Sequence, residues 1–235
     1  MRRRLLVLKL PLLLIIMSLG LVLTLRWVPV RYTPVMLKRA VQFRNDQNYR
    51  QEMIWVPLEE ISPELISAVI AAEDQRYYNH HGFDWEEIKS VWKKHCIDGG
   101  PFRGCSTISQ QTAKNVFTFG TPTIFRKVAE TYWTVLIELL WGKRRILEVY
   151  LNVAEMGCGL FGAEAAAHYY YGIPARRLDI KQAASLAVCL PRPLVWRPDC
   201  LTPGTRKRAS ILTNRLNGQF SEISRNTNPG KRYTK

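Results

Sequence analysis

Apolar positions recur along this chain with a helical period, and strand-like alternation is scarce. From Leu5 to Leu25 the sequence LLVLKLPLLLIIMSLGLVLTL is broken by charge or proline only at Lys9 and Pro11. A helix needs about 20 apolar residues to cross a hydrocarbon core, so this stretch predicts a spanning segment. Further on, Thr33–Pro34 marks a helix start ahead of the amphipathic VMLKRAVQF. Ser62 and Pro63 open a second helical pattern, SPELISAVIAAEDQRYY. STISQQTAKNVF, FRKVAETYWTVLIELLW, KRRILEVYLNVAE, AEAAAHYYYG and IKQAASLAVCL follow. The second of these stops near Gly142, and the last at Pro191 and Pro193. The pattern predicts an all-α or mostly α domain. From Thr205 the tail allows one terminal helix before a basic end. The expected organisation is 1–30 for anchor and preceding arginines, 31–204 for one domain, and 205–235 for terminal helix and tail.

The flanks of the first segment orient it. Arg2, Arg3 and Arg4 precede the apolar run, which predicts a cytoplasmic N-terminus and places the rest of the chain outside. Lys9 can snorkel back to the headgroups, and Trp27 sits where an interfacial aromatic belongs. No small-x-small cleavage site lies near Thr24 to Val30, and the run is long for a signal peptide. An uncleaved anchor is the expected reading.

Charge adds a partner class. The chain has 235 residues, enough for one core with extensions, and 34 Lys+Arg against 19 Asp+Glu give a formal +15. That balance calls for an anionic partner: nucleic acid, anionic lipid or a phosphorylated substrate. The five cysteines, Cys96, Cys105, Cys158, Cys189 and Cys200, are an odd number and do not form a disulfide framework. His95–Cys96 with Cys105 is a weak zinc pattern, and no H-E-x-x-H is present.

Helical phase then singles out candidate chemistry. Ile66, Val69, Ile70 and Glu73 fall at i, i+3, i+4 and i+7, so Glu73 should continue an apolar face while Asp74 is rotated away. A carboxylate on such a face is desolvated, which raises its pKa and suits it to proton transfer; a Glu that turns to water is the alternative. In GCSTISQQTAKN, Gly104 precedes a helix N-terminus that Ser106 or Thr107 can cap, a setting that favours anions. Gln110, Gln111, Lys114 and Asn115 add donors, with Gln111 and Lys114 on one face. Arg126 and Lys127 precede Glu130 by four and three residues, so all three share a face. A surface ion pair would explain them, but the helix that follows is nearly free of charge until Glu138.

Together these segments resemble a known family. EDQRYYNHHG is similar to the E-D-x-x-F-x-x-H-x-G signature of peptidoglycan glycosyltransferases (glycosyltransferase family 51), with Tyr77 in place of Phe. GCSTISQQTAKN resembles their G-x-S-T-x-x-Q-Q-x-x-K-N, RKVAE their R-K-x-x-E, and KRRILEVYLN their K-x-x-I-L-x-x-Y-L-N. QAASLAVCLPRP resembles the closing alanine-rich segment. Five motifs in family order span about Ile61 to Pro198. The resemblance implies a mostly α, lysozyme-like domain behind one transmembrane helix, held in the inner membrane with its catalytic part periplasmic. It implies polymerisation of lipid II into β-1,4 glycan strands, with inversion at the anomeric carbon. By the same resemblance Glu73 is the general base on the acceptor 4-hydroxyl. Glu130, with Arg126 and Lys127, lies near the departing pyrophosphate, where a divalent cation, magnesium or manganese, can bind; the sequence itself requires no cofactor. Ser106, Gln111, Lys114 and Asn115 bind phosphates and sugars, with Asp74, His80, Thr107 and Gln110 completing the substrate-binding set. The implied partners are lipid II, the growing strand, the membrane and cell-wall synthesis or division proteins, and no nucleic acid. The helix VMLKRAVQF would lie at the membrane surface.

Two positions depart from the family pattern. The linker VFTFGTPTIF has no arginine, and Arg145 stands where many members carry an acid before I-L. Members fused to a transpeptidase also exist, but here Ser90–Val91–Trp92–Lys93 and Ser224–Arg225–Asn226 are chance fits without a K-T-G, so a monofunctional enzyme is expected. The nearest rival is a lytic transglycosylase, which needs an acid catalyst but no cluster such as Lys114, Arg126 and Lys127. A basic non-enzymatic binding protein would show dispersed cations.

Overall fold

Ten α-helices and three short strands are found among the described residues of the computed structural model, which describes residues 2–100, 104–120 and 123–227. In chain order they are α1 (Arg2–Leu25), α2 (Pro34–Gln42), β1 (Glu52–Met53), α3 (Pro63–Glu73), α4 (Trp85–Trp92), α5 (Ile108–Phe117), α6 (Ile124–Leu140), α7 (Gly142–Val153), β2 (Glu155–Gly157), β3 (Leu160–Phe161), α8 (Ala163–Tyr171), α9 (Ile180–Cys189) and α10 (Pro203–Thr227). The side chains of Arg2–Arg4 and of Ser224–Asn226, and the tail past Thr227, lie outside the described set. Among the described residues, no helix is long and apolar enough to cross a membrane. The exposed part of α1 is nonetheless apolar on successive positions from Leu12 to Met17, with Val22 its one fully buried residue there.

Local chemistry sets the helix starts. Thr33 accepts the Met36 N–H at 3.2 Å, and Ser62 accepts that of Leu65 at 3.1 Å, each with proline as the next residue. Thr107 and Gln110 form a capping box on α5, as Asp179 and Gln182 do on α9. Asp84 caps α4, a helix the apolar pattern did not reveal, by accepting the Glu86 and Glu87 N–H groups at 3.1 and 3.0 Å.

The chain forms two compact units. The first comprises Met1–Gln47 and Arg76–Val153. In it α5 packs on α6, α7 and α2, and α1 runs along α6. Phe117 stacks on Trp133 with ring centroids 4.3 Å apart, and Trp141 closes the cluster at 6.1 Å. Gly82, at φ +89°, is pressed against α6, where a Cβ would lie 2.8 Å from Thr134 Cγ2. That close approach presents the Gly82 carbonyl to Thr107 Oγ1, which donates to it at 2.7 Å. The H-x-G turn thereby fixes the start of α5.

The second unit comprises Asn48–Gln75 and Ala154–Lys235. Its core is α3 against α9 and α10. Ala163, Ala165, Ala166 and Ala167 of α8 are fully buried, and small side chains there permit tight packing. A three-stranded sheet of order β1-β3-β2 lies beside α8, with Glu52 opposite Leu160 in parallel and Glu155 opposite Phe161 antiparallel. Strands of two or three residues are too short to produce a readable alternation, which is why the sequence showed none. The helix expected from Ser62 onward also ends earlier than its pattern, because Asp74 leaves the helical region at φ −158°, ψ 75°.

Candidate active site

Helices α5 and α6 of the first unit enclose a cavity of about 280 Å³ lined by Ser106, Gln110, Gln111, Lys114, Gly120, Arg126, Lys127 and Glu130. Residues twelve or more positions apart in sequence thus meet at one place. From α5, Gln111 and Lys114 project three positions apart, as helical phase requires. Gln110 is partly committed elsewhere: its Oε1 accepts the Thr107 N–H at 3.0 Å in the capping box. The Tyr150 hydroxyl donates to Gln111 Oε1 at 3.3 Å and orients that amide.

From α6 come two cations and a carboxylate. Arg126 pairs with Glu130 one turn on, and Lys127 Nζ stands 3.4 Å from the other carboxylate oxygen. Glu130 is only 2 % exposed. Lys127 Nζ also donates to Ser106 Oγ at 3.5 Å, which joins the two helices across the cavity. Three cations face one carboxylate, so the lining carries a formal excess of positive charge. Two of the cations sit in the first turn of α6, where the helix end is itself partly positive and ordinarily attracts acids. The strain shows in Lys127, whose ammonium is held below its ordinary pKa by burial and then by Arg126 and Lys114, with Cys105 opposing. Arg126 Nε is buried and has no hydrogen-bond partner among the described residues. A cationic, partly unsatisfied cavity is built to receive an anion.

Other expected site residues are placed differently. Thr107 is buried and acts as the cap of α5. Asn115 is buried on α5 but does not line the cavity, and His80 is buried with its ring edge-on to Tyr77 at 6.3 Å. Tyr77 itself is fully buried, its hydroxyl donating to the Lys143 carbonyl at 2.6 Å while Lys143 Nζ lies 4.6 Å from its ring centroid. Lys143 also reaches Glu138 Oε1 at 2.7 Å, and Ser109 donates to the same oxygen. This buried network was not legible in the sequence, although Tyr77 in place of Phe was its trace.

Glu73 and Asp74 belong to the second unit, at the end of α3. The expected division between them needs correction. Asp74 is buried at 6 % exposure, whereas Glu73 is half-buried. The deeply buried face of α3 runs through Leu65, Ala68 and Val69, while Ile66 and Ile70 share the half-buried face of Glu73. Helical phase located Glu73 correctly relative to Ile66 and Ile70 but misjudged the depth of that face. It also did not apply to Asp74, which has left the helix.

Comparison with known proteins gives the family. A family profile described as Transglycosylase matches residues 26–217. The biosynthetic peptidoglycan transglycosylase of Rhodospirillum centenum is 46% identical over 197 residues, covering 84% of this chain and 83% of that one. Proteins of the same description from Pseudomonas putida, 50% identical over 180 residues (76% of each chain), and Pseudomonas aeruginosa, 46% over 200 residues (85% and 86%), are also similar. The chain belongs to the transglycosylase family.

Proposed function

We propose that this chain is a peptidoglycan glycosyltransferase that polymerises lipid II into linear β-1,4 strands and carries no transpeptidase activity. The observation that carries the reading is the α5–α6 cavity, where Lys114, Arg126 and Lys127 line one site with a buried carboxylate and Arg126 Nε is unsatisfied among the described residues. A sugar bearing a lipid pyrophosphate supplies the anion this lining lacks. Peptidoglycan synthesis makes it a cell-envelope enzyme.

In the proposed reaction, Glu73 takes the proton of the acceptor GlcNAc 4-hydroxyl. The oxygen attacks the donor anomeric carbon from the face opposite the leaving group, so configuration inverts. As the C–O bond to phosphate breaks, its electron pair and charge pass to the undecaprenyl pyrophosphate. Arg126, Lys127 and Lys114 stabilise that charge, which is larger in the transition state than in the bound donor. Glu130, paired with both cations of its own helix, orients them rather than moving a proton. Ser106 and Gln111 offer hydrogen bonds to the phosphates. Asp74, His80 and Asn115 complete the proposed substrate-binding set, and Thr107 and Gln110 fix the start of α5.

The lining does not by itself fit a resident divalent cation. Such a cation takes about six oxygen ligands, and the one carboxylate here is already shared by Arg126 and Lys127 among three positive charges. No step of the proposal uses a metal.

The proposal includes α1 as a single-pass inner-membrane anchor with a cytoplasmic N-terminus and the catalytic part periplasmic. Its support is the continuous helix Arg2–Leu25 and the exposed apolar side chains from Leu12 onward. An anchored enzyme meets a lipid substrate in two dimensions, where a soluble one would have to extract it.

Incubating the purified full-length chain with labelled lipid II tests this reading. Polymeric glycan with release of undecaprenyl pyrophosphate is expected. Release of sugars from finished peptidoglycan, with lipid II untouched, would overturn it in favour of a lytic enzyme.

A further inference from the structure

The C-terminal end of α1 is closed by side chains far along the sequence. Its own backbone supplies part of the closure: Arg26 N–H donates to Leu23 O at 3.2 Å, and Trp27 and Val28 donate to Thr24 O at 3.2 and 3.3 Å. The carbonyls of Val22, Leu25 and Val28 are met by the corner between α6 and α7. Trp141 Nε1 donates to Val22 O at 2.7 Å. Arg145 Nη2 donates to Leu25 O at 2.8 Å and Val28 O at 2.6 Å, and its Nε adds a longer contact to Leu25 O at 3.3 Å. Its remaining arm, Nη1, donates to Glu148 Oε2 at 2.7 Å.

The chemistry of this contact is specific. A helix end exposes unclosed carbonyls and a partial negative charge. A guanidinium offers donors in a planar fork, so one side chain can bind two carbonyls and a carboxylate together. The Arg145 side chain is only 13 % exposed, and Val22, against the same corner, is fully buried. The family pattern often carries an acid at this position, and a carboxylate could only repel these carbonyls. Four residues before Val22, Ser18 Oγ shares a hydrogen bond with the Tyr132 hydroxyl. The helix is therefore held at two levels along α6.

We infer that Arg145, with Trp141, docks the exit of the N-terminal helix onto the α6–α7 corner, so that the anchor and the rest of the first unit move as one body. The functional half of this inference rests on α1 being the membrane anchor. Trp141 follows the last residue of α6, and Arg126 and Lys127 lie in its first turn. At 1.5 Å per residue these points are about 22 Å apart. Loosening of about 10° at the corner would therefore shift the anion cavity by about 4 Å relative to the anchor, enough to carry it away from a membrane-held pyrophosphate and weaken capture of the donor. Arg145 is in this sense a positioning residue: it touches no substrate, and its effect passes through the helix it holds.

Full-length protein in lipid vesicles provides the test, with Arg145→Met combined with Glu148→Gln so that no bare carboxylate remains, and Arg145→Lys as the conservative variant. Hydrogen exchange over residues 26–32 should quicken about 10-fold in the double variant and by less in the lysine variant, while α5 and α7 keep their wild-type rates. In the same vesicles KM for lipid II should rise about 5-fold with kcat little changed, and Arg145→Lys should recover part of it. Wild-type exchange over residues 26–32 in the double variant would overturn the inference, as would equal quickening throughout α5 and α7. If the wild-type chain makes no glycan, the proposed function fails while the exchange comparison still decides the docking.

Discussion

Arg126 and Glu130 form an ion pair on one face of α6 in which the carboxylate is almost wholly buried and the guanidinium keeps a buried Nε without a partner among the described residues. The pair is thus satisfied on the acid and incomplete on the base. Replacing Arg126 by Ala should lower lipid II polymerisation about 100-fold, the usual cost of losing one preorganised donor at a developing anion. Lys127 remains beside Glu130 and limits the loss of stability to about 1–3 kcal/mol, measurable by urea unfolding. Arg126→Lys should recover stability better than rate, because an ammonium keeps the charge and loses the fork.

Lys127 should show the opposite balance. Its folded-state pKa lies below the ordinary 10.5, through burial first and then its cationic neighbours, so the folded protein binds fewer protons than the unfolded chain. Stability from this group therefore rises with pH between the lowered folded value and 10.5, and at neutral pH the charge is a net cost. Lys127→Met should raise the thermal midpoint slightly at pH 7 while reducing activity. A lower midpoint at pH 7 would contradict this assignment.

Gly82 joins two elements through one backbone group. Its positive φ and its contact with Thr134 leave no room for a Cβ, and its carbonyl receives the hydroxyl that caps α5. Gly82→Ala should cost about 2–4 kcal/mol in chemical denaturation and weaken activity through the displaced start of α5. A variant as stable as wild type would show that the turn is not constrained.

How far the sequence carried is clearest at this site. The Arg126–Glu130 spacing of four residues predicts a shared helix face, and the structure has the pair. Thr33 and Ser62 were legible as caps, and Thr107 as one of two candidates beside Ser106, because their bonds reach only three residues ahead. The cavity itself needed Lys114 and Arg126 to meet across a turn, which periodicity cannot encode; only the resemblance grouped them. Depth was the other gap. Asp74 is buried and Glu73 only half so, because the helix ends between them and phase stops at a helix end. The short sheet and α4 were missed for lack of length: a two-residue strand or an eight-residue helix gives too few periods.

Tyr77 offers a test of substitution without loss of function. Its hydroxyl donates to the Lys143 carbonyl inside the first unit, where the family pattern has Phe. Tyr77→Phe should cost about 1 kcal/mol of unfolding free energy and leave the polymerisation rate within about 2-fold, since the ring and its contact with Lys143 remain. A rate loss beyond 10-fold would give the hydroxyl a part in the reaction.

In the proposed reaction Glu73 removes the acceptor proton while the cationic cavity takes the pyrophosphate. Its most direct measurement is the rate of lipid II polymerisation by full-length wild type and Glu73→Gln, with binding of lipid II measured on the same samples. Glu73→Gln should lose about 10³-fold or more in rate, with binding changed little and the fold intact. A Glu73→Gln enzyme that polymerises lipid II at the wild-type rate would contradict it.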